Sequence, residues 1–152
     1  MTALRSTSAA LLAALLVSGV LAPAEALVKT PAEYAGPAFA AINENRAERD
    51  LRLLRRSDCL KEFANQQARR MARKKRAWHQ DLQLVQKDCG MEYVGEAIVA
   101  GFKTGRGAVN RGMMKTAAHR AIIMDRKSRR LAVGARRAKG GGWFVCVLVG
   151  HK

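Results

Sequence analysis

The chain has 152 residues, 28 of them Lys or Arg and 12 Asp or Glu, which gives a formal net charge of +16 at pH 7. That length allows one domain, and an apolar content of 49% is enough for a real core, so a disordered basic tail is excluded as the whole molecule. Aromatic residues are only 5%, too few for a single-strand nucleic-acid binder, which needs stacking surfaces as well as positive charge.

Residues 1–26 read as a secretory signal peptide. Arg5 stands in a short polar start, an apolar run follows from Ala9 to Leu21, and Ala22, Ala24 and Ala26 place small residues where an export peptidase cleaves, after Ala26 or after Ala24. The run is about 13 residues before Ala22-Pro23 breaks it, short of the roughly 20 that a spanning helix needs. No transmembrane anchor is therefore expected after cleavage. The cationic character stays with the remainder, because Arg5 and Glu25 leave together and the net charge does not change.

Residues 27–36, with Pro31, read as a tether, and residues 37–152 as the domain. Phe39, Ile42 and Arg46 share a face at helical spacing, and Pro37 suits a first turn, so a helix is expected over 37–49. After Ser57-Asp58, either of which can cap a start, Leu60, Phe63, Ala64, Ala68, Met71 and Ala72 form one stripe of a second helix. Its opposite face carries Lys61, Arg69, Arg70, Arg73 and Lys74. Such a face is an anion-binding strip or simply a solvated surface, and by itself it favours the latter.

Residues 77–107 read as loop-rich, 108–116 as a third helix and 119–125 as a short helical piece. The period then changes: residues 131–137 and 143–149 are strand-like, with Lys139-Gly140-Gly141-Gly142 as a hairpin turn between them. Helices first and an antiparallel sheet later make an α+β domain. In an exported chain, neighbouring thiols oxidise. Cys59 at the start of the second helix is expected to pair with Cys89 in the following loop, leaving Cys146 as a free thiol in a strand.

The order of these segments resembles the CAP superfamily of cysteine-rich secretory proteins, antigen 5 and pathogenesis-related proteins, in its bacterial SCP-like branch. Ile42-Asn43-Glu44-Asn45-Arg46 is similar to the opening helix of that family, with its apolar-Asn-x-x-Arg signature. The stripe from Leu60 to Ala72 followed by Trp78-His79 is similar to its second helix and the His after it. Val94-Gly95-Glu96-Ala97 resembles the family's Gly-Glu-Asn segment, and Met114-Lys115-Thr116-Ala117-Ala118-His119-Arg120 its Met-x-Ser-Pro-Gly-His-Arg segment.

That resemblance implies a three-layer α-β-α sandwich with an antiparallel sheet and a C-terminal β-hairpin. It also implies a central cleft that holds His79, Glu96 and His119. Two imidazoles and a carboxylate are a first shell suited to zinc or another divalent metal, with an open position for water or ligand. Three departures from the family pattern matter: Ala97 replaces the usual Asn, Met113 the usual Trp, and residues 108–116 contain no acid for a second carboxylate. No Ser or Cys stands beside an activating His, so catalysis is the weaker expectation. His151 is expected to be a solvated terminal residue.

The sequence therefore favours an exported binding module whose cleft takes a small ligand, a lipid or a divalent metal. Two rivals stand beside it. One is a metal-assisted hydrolase with Glu96 as base. The other is a basic adhesin for cell-wall polymers, anionic lipids or, without sequence preference, extracellular DNA. For the adhesin the expected anion-binding surface is Arg69, Arg70, Arg73, Lys74, Lys75 and Arg76, with further cations at residues 126–130 and 136–139. Because these charges are spread over several clusters along the sequence, weak contacts screened by salt are expected rather than one pocket.

Overall fold

The first helix begins at a capping box. In the computed structural model, which describes residues 29–152, the Glu33 N–H donates to Thr30 Oγ1 at 3.2 Å and the Thr30 N–H donates back to Glu33 Oε2 at 2.7 Å. The helix, α1, therefore spans Pro31–Ala47. It starts six residues before the expected position, and residues 31–36 are helix, not tether. Pro31 occupies the first turn, where its missing N–H has no consequence, and Pro37 sits inside the helix. The expected signal peptide, and residues 27 and 28 of the expected tether, lie outside the described residues.

The Asn-x-x-Arg pattern of α1 has a structural purpose. Asn43 Oδ1 accepts from the Leu54 N–H at 2.8 Å and its Nδ2 donates to the Leu54 carbonyl at 3.1 Å, as a strand partner would. Arg46 is fully buried and donates to the carbonyls of Arg52, Ile123 and Asp125 at 2.9, 2.6 and 3.0 Å. Two side chains of one helix thus satisfy the backbone of two distant loops.

Four strands form the sheet: β1 (Arg55–Arg56), β2 (Tyr93–Ala100), β3 (Arg130–Arg137) and β4 (Trp143–His151), in the order β1-β3-β4-β2. The β2/β4 and β3/β4 pairs are antiparallel, with Glu96 opposite Leu148 and Val133 opposite Val147. Only the two-residue β1 runs parallel, beside Arg130 and Leu131. The expected hairpin is present: the Ala138 N–H donates to the Gly142 carbonyl at 2.9 Å, and Gly140, Gly141 and Gly142 all have positive φ.

Alternation in β4 explains the layers. Val145, Val147 and Val149 pack on one side with α1 and the 108–114 segment. Phe144, Cys146 and Leu148 pack on the other with Leu60, Ala64 and Met71 of the second helix, α2 (Asp58–Lys74), and Val85 of α3 (Leu82–Cys89). A sheet covered by helices on both faces is the three-layer sandwich expected, and its inner strand β4 reads as an unbroken apolar run for that reason.

The 77–107 stretch is more regular than a loop. Asp81 caps α3 by accepting from the N–H groups of Gln83 and Leu84, and Gly90 ends it in the left-handed region. The strand β2 follows, although Gly95 and Glu96 are poor strand formers. At Gly95 a Cβ would stand 2.6 Å from Tyr93 Oη and 2.9 Å from Ile122 Cγ2, so a larger residue there would displace these two side chains.

The expected helix over 108–116 is instead irregular. One α turn, α4 (Gly105–Gly107), runs into a π turn over Ala108–Gly112 and a 3₁₀ turn over Met113–Lys115. Three glycines and the close approach of Gly105 to the Tyr34 carbonyl break the regular ladder there. The last helix, α5, is Ala117–Ile123. Cys59 and Cys89 form the expected disulfide, with Cα atoms 5.7 Å apart, and Cys146 is a buried free thiol. No helix among the described residues is long and apolar enough to cross a membrane.

Candidate functional site

After α2, Lys75 turns the chain in the left-handed conformation, and Gln67 Nε2 on the buried side of the helix donates to the Trp78 carbonyl. These two features fix the residue that follows. His79 stands with 62% of its side chain exposed, and its Nδ1 lies 2.6 Å from Glu96 Oε2.

Glu96 is on the edge strand β2, pointing to the α2/α3 side between Val94 and Ile98, with its side chain completely buried. Its two oxygens are surrounded by donors. Oε2 takes His79 Nδ1 and, at 3.3 Å, the Gln80 N–H; Oε1 takes Gln80 Nε2 at 2.7 Å and the Cys146 thiol at 3.2 Å. The two oxygens have lone pairs for all four contacts, and His79 Nδ1 donates in the tautomer that carries its proton there. Burial pushes the Cys146 thiol up, and the neighbouring Glu96 charge and hydrogen bond push it further, with the Arg70 charge acting against them.

His119 enters from α5. It is half-buried, and its Nδ1 is enclosed without a hydrogen-bond partner. Its pKa is lowered first by burial and then by the charge of His79, so the two imidazoles lie within each other's field. Of the expected trio, His79 and Glu96 are in direct contact, and His119 is near enough to His79 to feel its charge. With Nδ1 facing Glu96, His79 has Nε2 as the nitrogen available to a ligand.

The roles within the trio differ from the expected ones. Glu96 does not present a free oxygen; it orients His79 from behind, as carboxylates do behind metal-bound imidazoles. Among the described residues no three His, Cys, Asp or Glu side chains are grouped to hold a metal ion. Zinc sites usually have three or four protein ligands, so His79 and His119 by themselves fall short of such a set. A base that activates water needs an unengaged lone pair, and Glu96 has donors on both oxygens.

Gln80 and Cys146 were not among the expected site residues. Gln80 adjoins His79, which is a signal of a kind. Cys146 reaches Glu96 only through the β2/β4 register, where it stands opposite Ile98. His151 is not a solvated terminus: it closes β4, is half-buried, and its ring stacks on Tyr93 with centroids 5.5 Å apart. Of the expected anion-binding residues, Arg69, Arg70, Arg73 and Lys75 line a groove of about 810 Å³ between α2 and the β3–β4 hairpin. Lys74 is not in its lining, and Arg76 lies over the Trp78 ring at 5.6 Å.

The cysteine-rich secretory protein family model matches residues 39–148. Among solved structures, the fold is similar to an outer surface protein of Borrelia burgdorferi, with a TM-score of 0.67 at 17% identity over 75% of this chain and 89% of that one. It is similar also to an extracellular protein of Bacillus anthracis containing an SCP domain, with a TM-score of 0.69 at 19% identity over 78% of this chain and 40% of that one. A cysteine-rich secretory protein of Staphylococcus aureus gives 0.68 at 13% identity, over 82% and 41%. The chain thus spans about two-fifths of each of the latter two proteins. No protein of curated function matches the sequence. Residues 39–148 hold both helical layers, the sheet, the disulfide and the His79–Glu96 pair, and on that match the chain belongs to the cysteine-rich secretory protein (CAP) family.

Proposed function

We propose that the chain is an exported binding module in which His79 and His119 receive a small ligand or a weakly held divalent ion, with Glu96 as a positioning residue. The observation that carries this reading is the use of Glu96. A fully buried carboxylate with four donors orients one exposed imidazole and has no oxygen left for chemistry of its own. Export is supported by the expected signal peptide and by relatives described as extracellular or outer-surface proteins.

Zinc calorimetry on the wild type and on His79→Ala, His119→Ala and His151→Ala tests the reading. Either of the first two substitutions should remove most of the affinity, and the third should leave it unchanged. Affinity should also weaken as pH falls through about 6.5, where protons compete for imidazole nitrogen. Equal zinc affinity in all four proteins would exclude a shared site.

His119 also makes a prediction without any ligand. Its folded pKa is lowered, so on acidification the unfolded chain takes up the proton first, and the folded state loses ground as pH drops through about 6.5 toward the lower folded value. The substitution His119→Gln should flatten that part of the stability profile, read by urea unfolding between pH 7.5 and pH 5, each value being about the edge of the window. His79→Ala should move the His119 titration, followed by NMR, upward. An unchanged profile in His119→Gln would show that the imidazole is not desolvated as described.

A further inference from the structure

We infer that the groove between the C-terminal half of α2 and the β3–β4 hairpin is a binding site for a linear, phosphate-bearing polyanion. None of His79, Glu96 and His119 lines it. Arg69, Arg70, Arg73 and Lys75 form one wall, and Arg136, Arg137 and Lys139 form the other. Ala72 and Ala138 lie between them, and neither an acidic nor an aromatic side chain lines the groove. Charges spread over the sequence are gathered here by the fold, in place of the diffuse surface expected from their spacing along the chain.

A solvated helix face accounts for only one wall. Cations in the last turn of α2 are favoured by the partial negative charge of the helix end. That effect does not reach Arg136, Arg137 and Lys139, which come from a strand and its turn. Of the seven cations, only Arg69 has a carboxylate within salt-bridge distance among the described residues, Glu62 at 3.5 Å. Like charges therefore face one another across a groove with little internal compensation, which a bound anion would supply.

The chemistry of the anion follows from the lining. Five of the seven cations are Arg, whose planar forks match phosphate oxygens in bidentate fashion. A groove of about 810 Å³ holds more than one phosphate group. A second cavity of about 400 Å³ shares Lys75, Ala138 and Lys139 with it and runs along the glycine turn beside Phe144. No aromatic side chain lines the groove itself, and Phe144 in its continuation is a core residue with 9% exposure, so the groove reads the charged backbone of a chain and not a nucleobase.

Fluorescently labelled inorganic polyphosphate is the probe, titrated with the protein over a range of salt concentrations. The double substitution R136S/R137S, and separately R70S/R73S, should each weaken binding by at least about tenfold and lower the salt slope by about two, one for each arginine that no longer neutralises a phosphate. The control R126S/K127S removes the same charge outside the groove and should retain affinity to within about twofold. Thermal unfolding of each variant verifies that it is folded. Equal losses in groove and control variants would reduce the effect to overall charge and overturn the proposal. So would competition by orthophosphate as effective as the chain at equal phosphate, or binding to phosphatidylglycerol vesicles with none to polyphosphate.

Discussion

Alanine at position 134 should destabilise the protein by more than about 3 kcal/mol, beyond the usual range for overpacking a core. Gly134 lies in the middle of β3, and a Cβ there would stand 2.1 Å from the Ala64 carbonyl oxygen, 2.2 Å from its carbon and 2.6 Å from the Asn65 nitrogen. All three are backbone atoms of α2, so no rotamer change relieves the clash. The helix itself cannot lift easily. Ala64 is fully buried, Cys59 ties one end to α3, and Gln67 holds the loop beyond the other. The same change at Gly36 in α1, where nothing beyond its chain neighbours lies within 4 Å, should change stability by less than about 1 kcal/mol, because the gain in helix propensity is opposed by Pro37, which disfavours a side chain in the helical region before it. Chemical denaturation of the two variants beside the wild type makes the comparison. A Gly134→Ala loss below about 1 kcal/mol would mean that α2 rides on the sheet more loosely than its packing indicates.

Loss of the disulfide should cost nearly as much. Cys59 and Cys89 are 30 residues apart, and closing a loop of that size removes unfolded-state entropy worth about 3–4 kcal/mol. The bond joins the first turn of α2 to the last residue of α3, and the segment between those helices carries His79. Cys59→Ser/Cys89→Ser should therefore lower the denaturation midpoint, and reductant should do the same to the wild type while leaving the double variant unchanged. A wild type equally stable with and without reductant would refute the estimate. Cys146, buried beside Glu96, offers no alternative partner in the folded state.

Local signals in the sequence were enough for some elements and not for others. The second helix announced itself through Ser57 and the stripe from Leu60 to Ala72, and the hairpin through three glycines between two apolar runs. Both depend on neighbours in sequence. The start of α1 was obscured because Pro37 is as good an opening locally as the Thr30 capping box, and the packing of Tyr34 against Trp143, with the Tyr34 hydroxyl donating to the Phe102 carbonyl, favours the longer helix. Strand β2 was hidden because Gly95 and Glu96 oppose it locally, and its structure comes from eight residues of pairing with β4. At the site, His79, Glu96 and His119 could be grouped through family resemblance. That Glu96 faces backward to hold His79 depends on Gln80 and Cys146, whose approach follows from sheet register and loop geometry. The charge of both groove walls was visible; that they face each other was not.

β4, the inner strand that joins β2 to β3, is also the last strand among the described residues, and this has a consequence for how the protein is made. β2 and β3 do not pair with each other; each pairs with β4, so neither can join a common sheet until residues 143–151 are present. Arg46 is subject to a similar delay, because two of its carbonyl partners, Ile123 and Asp125, lie 77 and 79 residues further on. Contacts of such long range form late. A chain emerging from its N-terminus thus has its helices early but no joined β2–β4–β3 core until residues 143–151 have followed. On the exported reading proposed above, that order keeps the chain open for threading through a translocation channel and postpones closure to the far side, where Cys59 and Cys89 meet oxidising conditions.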